Sequence, residues 1–138
     1  MMVTPVFVDS AQYIAFVHER DGLHEAAVEA AELLANVPLV TTEAILVETL
    51  NFLSKFGPYH RRQAVALVNT LRSEPSLLIE PQTTELLEEG IDLYRQREDK
   101  TYTVTDCMSM VTCRRHGIRE VATPDHHFEQ EGFTILLK

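Results

Sequence analysis

Glycine is scarce, five residues in 138, and there is neither a glycine-rich phosphate loop nor a G-x-G-x-x-G run. Binding of a nucleotide cofactor in the usual ways is therefore unsupported. Only two cysteines occur, Cys107 and Cys113. Six apart on one helix, they lie about 240° apart around the axis and about 9 Å along it, too far for a disulfide. Two thiols do not complete a zinc site, so they read as small buried hydrophobes in a reducing compartment. No apolar run reaches the roughly 18 residues of a membrane span. The opening MMVTPVFVDS has no basic region followed by a long apolar one, so no secretory signal is expected and a cytoplasmic location is. Positive charge is also short: 12 Lys and Arg face 21 Asp and Glu, a net charge of −9. That excludes indiscriminate nucleic-acid binding through a basic surface. It leaves open a polyanionic substrate, provided a divalent cation stands between acid and phosphate.

What remains is an ordinary globular composition, 45% hydrophobic and 24% charged, long enough for one domain over residues 1–138. A domain of this size buries roughly 68% of its unfolded surface and needs no staples. Short apolar, β-branched runs alternate with amphipathic stretches. Strands are expected at Val3–Val8, Pro38–Thr41, Ser76–Ile79, Glu120–Thr123 and Gly132–Leu137. Helices are expected at Ala11–His18, Leu23–Ala35, Glu43–Phe56, Pro58–Arg72 and Thr83–Gln96. A further helix opens near Asp106, capped by Thr103 or Thr105, and stops at Gly117. In Thr83–Gln96 the residues Leu86, Leu87, Ile91 and Tyr94 are expected to face inward. The alternation predicts an α/β fold with a mostly parallel sheet covered on both faces.

Four acids fall at telling places in that pattern. Asp9 ends the first strand, Glu48 lies on the helix after the second, Asp106 opens a helix, and Asp125 follows the fourth strand just past Pro124. In a parallel sheet, strand C-termini and the helix N-termini after them share one edge. Glu48 starts about 9 Å into its helix, but side chains lean back towards the N-terminus and Glu is long. Each acid also has a plain structural reading: Asp9 or Ser10 as a helix cap, Glu48 on a solvated face, Asp106 as the third residue of a capping box with Thr103. Together they form a cluster that cannot stay ionised and unpaired. A hard divalent cation, Mg²⁺ or Mn²⁺, is the natural neutraliser, and such a centre activates water against a phosphodiester.

The stretches VFVDS, TTEAILVETLNFL, YTVTDCMSMVTCRRHGI and EVATPDHHFEQEGF resemble the PIN-domain family, especially the VapC-type toxins of toxin–antitoxin pairs. The resemblance spans essentially the whole chain. It implies a three-layer α/β/α fold with a five-stranded sheet in the order 3-2-1-4-5. It also implies a Mg²⁺- or Mn²⁺-dependent endoribonuclease, with a homodimer and an antitoxin protein as partners. By that likeness Asp9, Glu48, Asp106 and Asp125 hold the metal and its water, and Ser10 and Thr123 assist by hydrogen bonding. His126 and His127 become candidates for touching the scissile phosphate. Arg114 and Arg115 become candidates for steering RNA, beside the simpler reading that cations favour a helix C-terminus.

Two rivals are set against this. A receiver-type phosphoacceptor needs an acid pair after strand one and a lysine near the last strand, whereas this chain has a single Asp9 there and only Lys138 at its end. A PIN-like module acting by binding alone, through a protein or RNA partner, is the non-enzymatic alternative.

Overall fold

The chain is described over residues 3–137 of a computed structural model; Met1, Met2 and Lys138 lie outside the described residues. Five strands, β1 (Val6–Val8), β2 (Leu39–Thr42), β3 (Leu77–Glu80), β4 (Glu120–Ala122) and β5 (Thr134–Ile135), form one sheet in the order β3-β2-β1-β4-β5. Every neighbouring pair is parallel, as expected. Pro5 has no N–H to offer, and the first ladder bond runs from the Val6 N–H to the Pro38 carbonyl (3.0 Å), so β1 starts three residues later than the apolar run. Phe7, Val121 and Ala122 at the sheet centre are completely buried, which fits strands covered on both faces.

Between the strands lie α1 (Ser10–Val17), α2 (His24–Leu33), α3 (Glu43–Leu53), α4 (Pro58–Arg72), α5 (Thr84–Gln96), α6 (Val104–Arg115) and α7 (His126–Gln130). Helices α1 to α4 pack on one another, and α5 packs on α6. The crossovers β1→β2→β3 run one way across the sheet and β3→β4 runs back. Right-handed connections therefore put the two helix groups on opposite faces. The reversal of strand order falls between β1 and β4, where α/β sheets open a crevice beyond their strand ends.

Past Pro124 an element is added that the strand pattern did not announce: Asp125 caps a five-residue helix, α7, whose Phe128 is fully buried. Two expectations are corrected. Helix α3 ends at Leu53, and a single 3₁₀ turn, Ser54–Phe56, carries the chain to Gly57 at φ 97°. On α5 the buried stripe is Leu86, Gly90 and Leu93, while Leu87, Ile91 and Tyr94 face out. Gly90 lets the two helices approach so closely that a Cβ there would come within 2.5 Å of Met108 Cγ. Both cysteines are buried and free, and burial pushes the Cys107 thiol up to about 11.

Candidate metal centre

The register sets the first part of the site. Phe7 pairs with Val121 and Val8 with Ala122, so Asp9 emerges beside Thr123. The Thr123 hydroxyl donates to Asp9 Oδ2 at 2.8 Å, and the Asp125 N–H donates to the same hydroxyl oxygen at 3.2 Å. Asp9 occupies the N-cap position of α1, yet its side chain makes no cap hydrogen bond. The carboxylate is aimed across the sheet edge instead. It is only 6% exposed. Burial pushes its pKa up to about 7; the Thr123 hydroxyl and the Ser10 N–H pull down, while the charges of Asp106 and Glu48 push up. Asp9, Asp106 and Glu48 therefore share one electrostatic neighbourhood.

Helix α6 supplies the second part. Thr103 caps it through its side chain, and Asp106 completes the box: its N–H donates to Thr103 Oγ1 and its Oδ2 accepts from the Thr103 N–H, both at 3.0 Å. The capping role thus falls on one of the four candidate site residues. Burial raises the Asp106 pKa above the ordinary value, and the Asp125 carboxylate adds to it, against the Thr103 hydrogen bonds and the His127 ring. Asp125 caps α7 by accepting from the His127 N–H at 2.9 Å.

His127 completes the arrangement. Ligand atoms of Asp106, Asp125 and His127 all lie within 4.8 Å of one another. The His127 Nδ1 is buried, 3.2 Å from Asp125 Oδ1 and 3.6 Å from Asp106 Oδ2, but neither contact has hydrogen-bond geometry. Its Nε2 contacts the Thr101 hydroxyl at 2.9 Å, and its ring stands edge-on to Tyr102 at 5.3 Å. A buried nitrogen without a hydrogen-bond partner between two carboxylates is a donor set that fits a divalent cation. On the far side Ser10 donates its hydroxyl to Glu48 Oε1, drawing α3 to the start of α1. Asp106 and Asp125 thus stand together with His127, Asp9 is tied to Asp125 through Thr123, and Glu48 is tied to the start of α1 through Ser10.

The remaining candidates sit elsewhere. His126 is 80% exposed and pairs with Glu129; its neighbour His127, not His126, is the one turned into the acids. Arg114 and Arg115 end α6, eight and nine residues past Asp106, or about 12–14 Å along the helix. Arg115 pairs with Glu89 at 2.9 Å and Arg114 with Glu131 at 2.8 Å. Glu131 was not anticipated. It also accepts from Arg97 (2.9 and 3.3 Å) and from the Tyr102 hydroxyl (3.0 Å). Burial works to raise its pKa, but these donors outweigh it and hold the carboxyl at about 2. The effect is to pin the 97–102 loop, and with it the entry to α6, against the end of α7. Asp99, in that loop, is 75% exposed and pairs with Lys100 at 3.9 Å.

A parallel 3-2-1-4-5 sheet with carboxylates gathered at its switch point defines a class of acid-edged α/β/α domain. The chain belongs to the PIN domain family, whose model matches residues 6–133. It is similar to a VapC ribonuclease of Aquifex aeolicus (strain VF5), at 26% identity over 98 residues covering 71% of this chain and 69% of that one. Among solved structures it resembles Mycobacterium tuberculosis VapC20, a sarcin-ricin loop cleaving toxin. The TM-score is 0.82 at 24% identity, over 94% of this chain and 96% of that one. FitAcB from Neisseria gonorrhoeae matches at TM-score 0.61 and 16% identity, over 95% and 96%. At such identities the two structures speak for the fold.

Proposed function

We propose that this chain is a single-domain endoribonuclease dependent on Mg²⁺ or Mn²⁺. The observations that support this are the close grouping of Asp106, Asp125 and His127 and the buried Asp9, whose pKa is pushed up by burial and by the nearby charges of Asp106 and Glu48. A Mg²⁺ or Mn²⁺ ion held by Asp9, Asp106 and Asp125 would supply the charge that activates water and neutralises a phosphodiester during in-line attack. The protein's own groups do the rest. Thr123 spends its only proton on Asp9 Oδ2, fixing that carboxylate's orientation. Glu48 has Oε1 occupied by Ser10, which leaves Oε2 to accept a proton from the attacking water. Thr101 steadies His127 through Nε2, so Nδ1 faces Asp106 and Asp125. There it would offer a nitrogen ligand to an ion held by those two carboxylates.

The likeness to VapC proteins supports a role as the toxin of a toxin–antitoxin pair, working in the cytoplasm as a homodimer and acting on single-stranded or looped RNA. In this reading an antitoxin tail blocks the site with an Arg or Lys among the carboxylates. A co-purified neighbour protein that leaves cleavage untouched refutes the blocking. A purely binding role leaves four converging carboxylates without a purpose, and among the described residues no helix is long and apolar enough to cross a membrane. The test is cleavage of a labelled RNA with Mn²⁺. Products should appear, and should vanish with chelator or with Asp106→Asn; cutting that survives either change overturns the proposal.

A further inference from the structure

A groove of about 670 Å³ begins at Glu48 and Thr105, beside the acid site, and descends the outer face of α3. Helical spacing explains its lining. Glu48, Asn51, Phe52 and Lys55 are related by three, four and seven residues, so they stack along one face. Phe52 and Phe56 stay 39% and 37% exposed, unusual for rings that a core could have used. Lys55 Nζ lies 3.9 Å from the Phe52 ring centroid and 5.3 Å from that of Phe56. The aromatic row continues beyond the groove: Phe52 to Phe56 at 5.7 Å, Phe56 to His60 at 5.7 Å, His60 to Tyr59 at 5.3 Å.

Charge is segregated in the same place. Residues 49–73 contain no Asp or Glu, in a chain with 21 of them, yet hold Lys55, Arg61, Arg62 and Arg72 among its 12 Lys and Arg. Arg61 and Arg62 sit in the first turn of α4, an end where cations are disfavoured, and neither has an ion-pair partner among the described residues. Two acids line the groove: Glu48 at its start by the acid site, and Glu43, whose Oε1 accepts from the Gln82 N–H at 2.6 Å. The groove itself supplies one ring, Phe52, and one cation, Lys55; beyond it the row of Phe56, His60 and Tyr59 runs through a segment whose charged side chains are all cations, and the two together match the requirements of a single strand: a π-face for each base and positive charge for the backbone.

We propose that the RNA strand runs from the acid site along the outer face of α3, with one base stacked on Phe52, its edge met by Asn51, and the following phosphates held by Lys55, Arg61 and Arg62. This rests on the ribonuclease reading and adds to it a path and a polarity of contact. It also explains how a chain of net charge −9 holds a polyanion: the acids sit at the cut and the cations along the exit.

The test uses a fluorescein-labelled single-stranded RNA of about ten nucleotides, with binding followed by anisotropy in chelator and cleavage followed in Mn²⁺. Phe52→Ala should weaken binding about tenfold and raise KM to match while leaving kcat unchanged, and Phe52→Tyr should restore both. Lys55→Gln, and Arg61→Gln with Arg62→Gln, should each lower the slope of log affinity against log salt by about 0.7 per charge removed. Thermal melts at the wild-type temperature show that the variants fold. If Phe52→Ala binds and cuts as the wild type does, the path is wrong and the nuclease stands. If the variants lose RNA binding but the wild type cuts nothing in Mn²⁺, the path stands and the nuclease reading fails. Variants that change sedimentation mass instead of RNA affinity assign the groove to a protein contact and overturn the proposal.

Discussion

Replacing Asp9 by Asn should make the metal-free protein more stable at neutral pH, the reverse of what loss of a buried hydrogen-bonded group normally does. Asp9 is almost fully buried and its pKa stands near 7 rather than at the ordinary 3.8. The folded state therefore holds this proton more tightly than the unfolded chain does. Stability of the metal-free protein is accordingly greatest below about pH 4 as far as this group is concerned, falls as pH rises to about 7, and is level above that. A shift of about three pH units corresponds to roughly 4 kcal/mol at full ionisation. Asn keeps the shape and can still accept from Thr123 but carries no charge. Allowing about 1–2 kcal/mol for poorer hydrogen bonding, the variant should gain about 2–3 kcal/mol at pH 8, or roughly 5–10 °C in melting temperature for a domain of this length. Melting in chelator between pH 5 and 8 reads this directly. The window lies above the range in which Glu131, held at about 2, loses its contribution as pH falls. Millimolar Mn²⁺ should then raise the wild-type melting point by mass action and leave Asp9→Asn nearly unmoved. A gap between the two proteins that does not depend on pH, or a less stable variant at pH 8, refutes a desolvated carboxylate awaiting a cation.

Thr123→Val removes the hydroxyl shared by Asp9 and Asp125 and should weaken Mn²⁺ binding 10- to 100-fold by titration calorimetry while the fold persists. Glu131→Gln strips the charge that Arg97, Arg114 and Tyr102 converge on. With both arginines partly exposed, the cost should be about 2–3 kcal/mol in urea unfolding, below that of a fully buried pair. Gly90→Val places a branched side chain where a Cβ already meets Met108. It should lower stability by about 2 kcal/mol or more, whereas the same change at solvent-facing Glu88 should cost under about 1 kcal/mol.

The sheet was readable because its signal is redundant: short β-branched runs, cap residues and breakers agree on where each element starts, and the alternation permits few topologies. The expectation that Asp9, Glu48, Asp106 and Asp125 lie towards one edge rested on that alternation, since strand ends and helix starts share an edge, and on the family resemblance. What each side chain does at the edge was not readable. A cap residue that forgoes its cap, as Asp9 does, looks in sequence like any other Asp before a helix. His126 and His127 differ by about 100° of helix, and nothing in their type says which turns inward. The stripe on α5 was misread for a related reason: 86-90-93 and 87-91-94 have the same spacing, and the buried one has a glycine at its centre, so it looks less apolar. Close approach to α6, a tertiary fact, decides between them. Glu131 is the same kind of case, one acid among 21 until Arg97, Tyr102 and Arg114 are brought to it.

The most direct measurement is anomalous scattering from a crystal soaked in Mn²⁺. A single strong peak should lie in the crevice between β1 and β4, within about 2.0–2.3 Å of carboxylate oxygens from Asp9, Asp106 and Asp125. A peak that touches Asp106 and Asp125 but leaves Asp9 bonded only to Thr123, or no peak there at millimolar metal, contradicts the account.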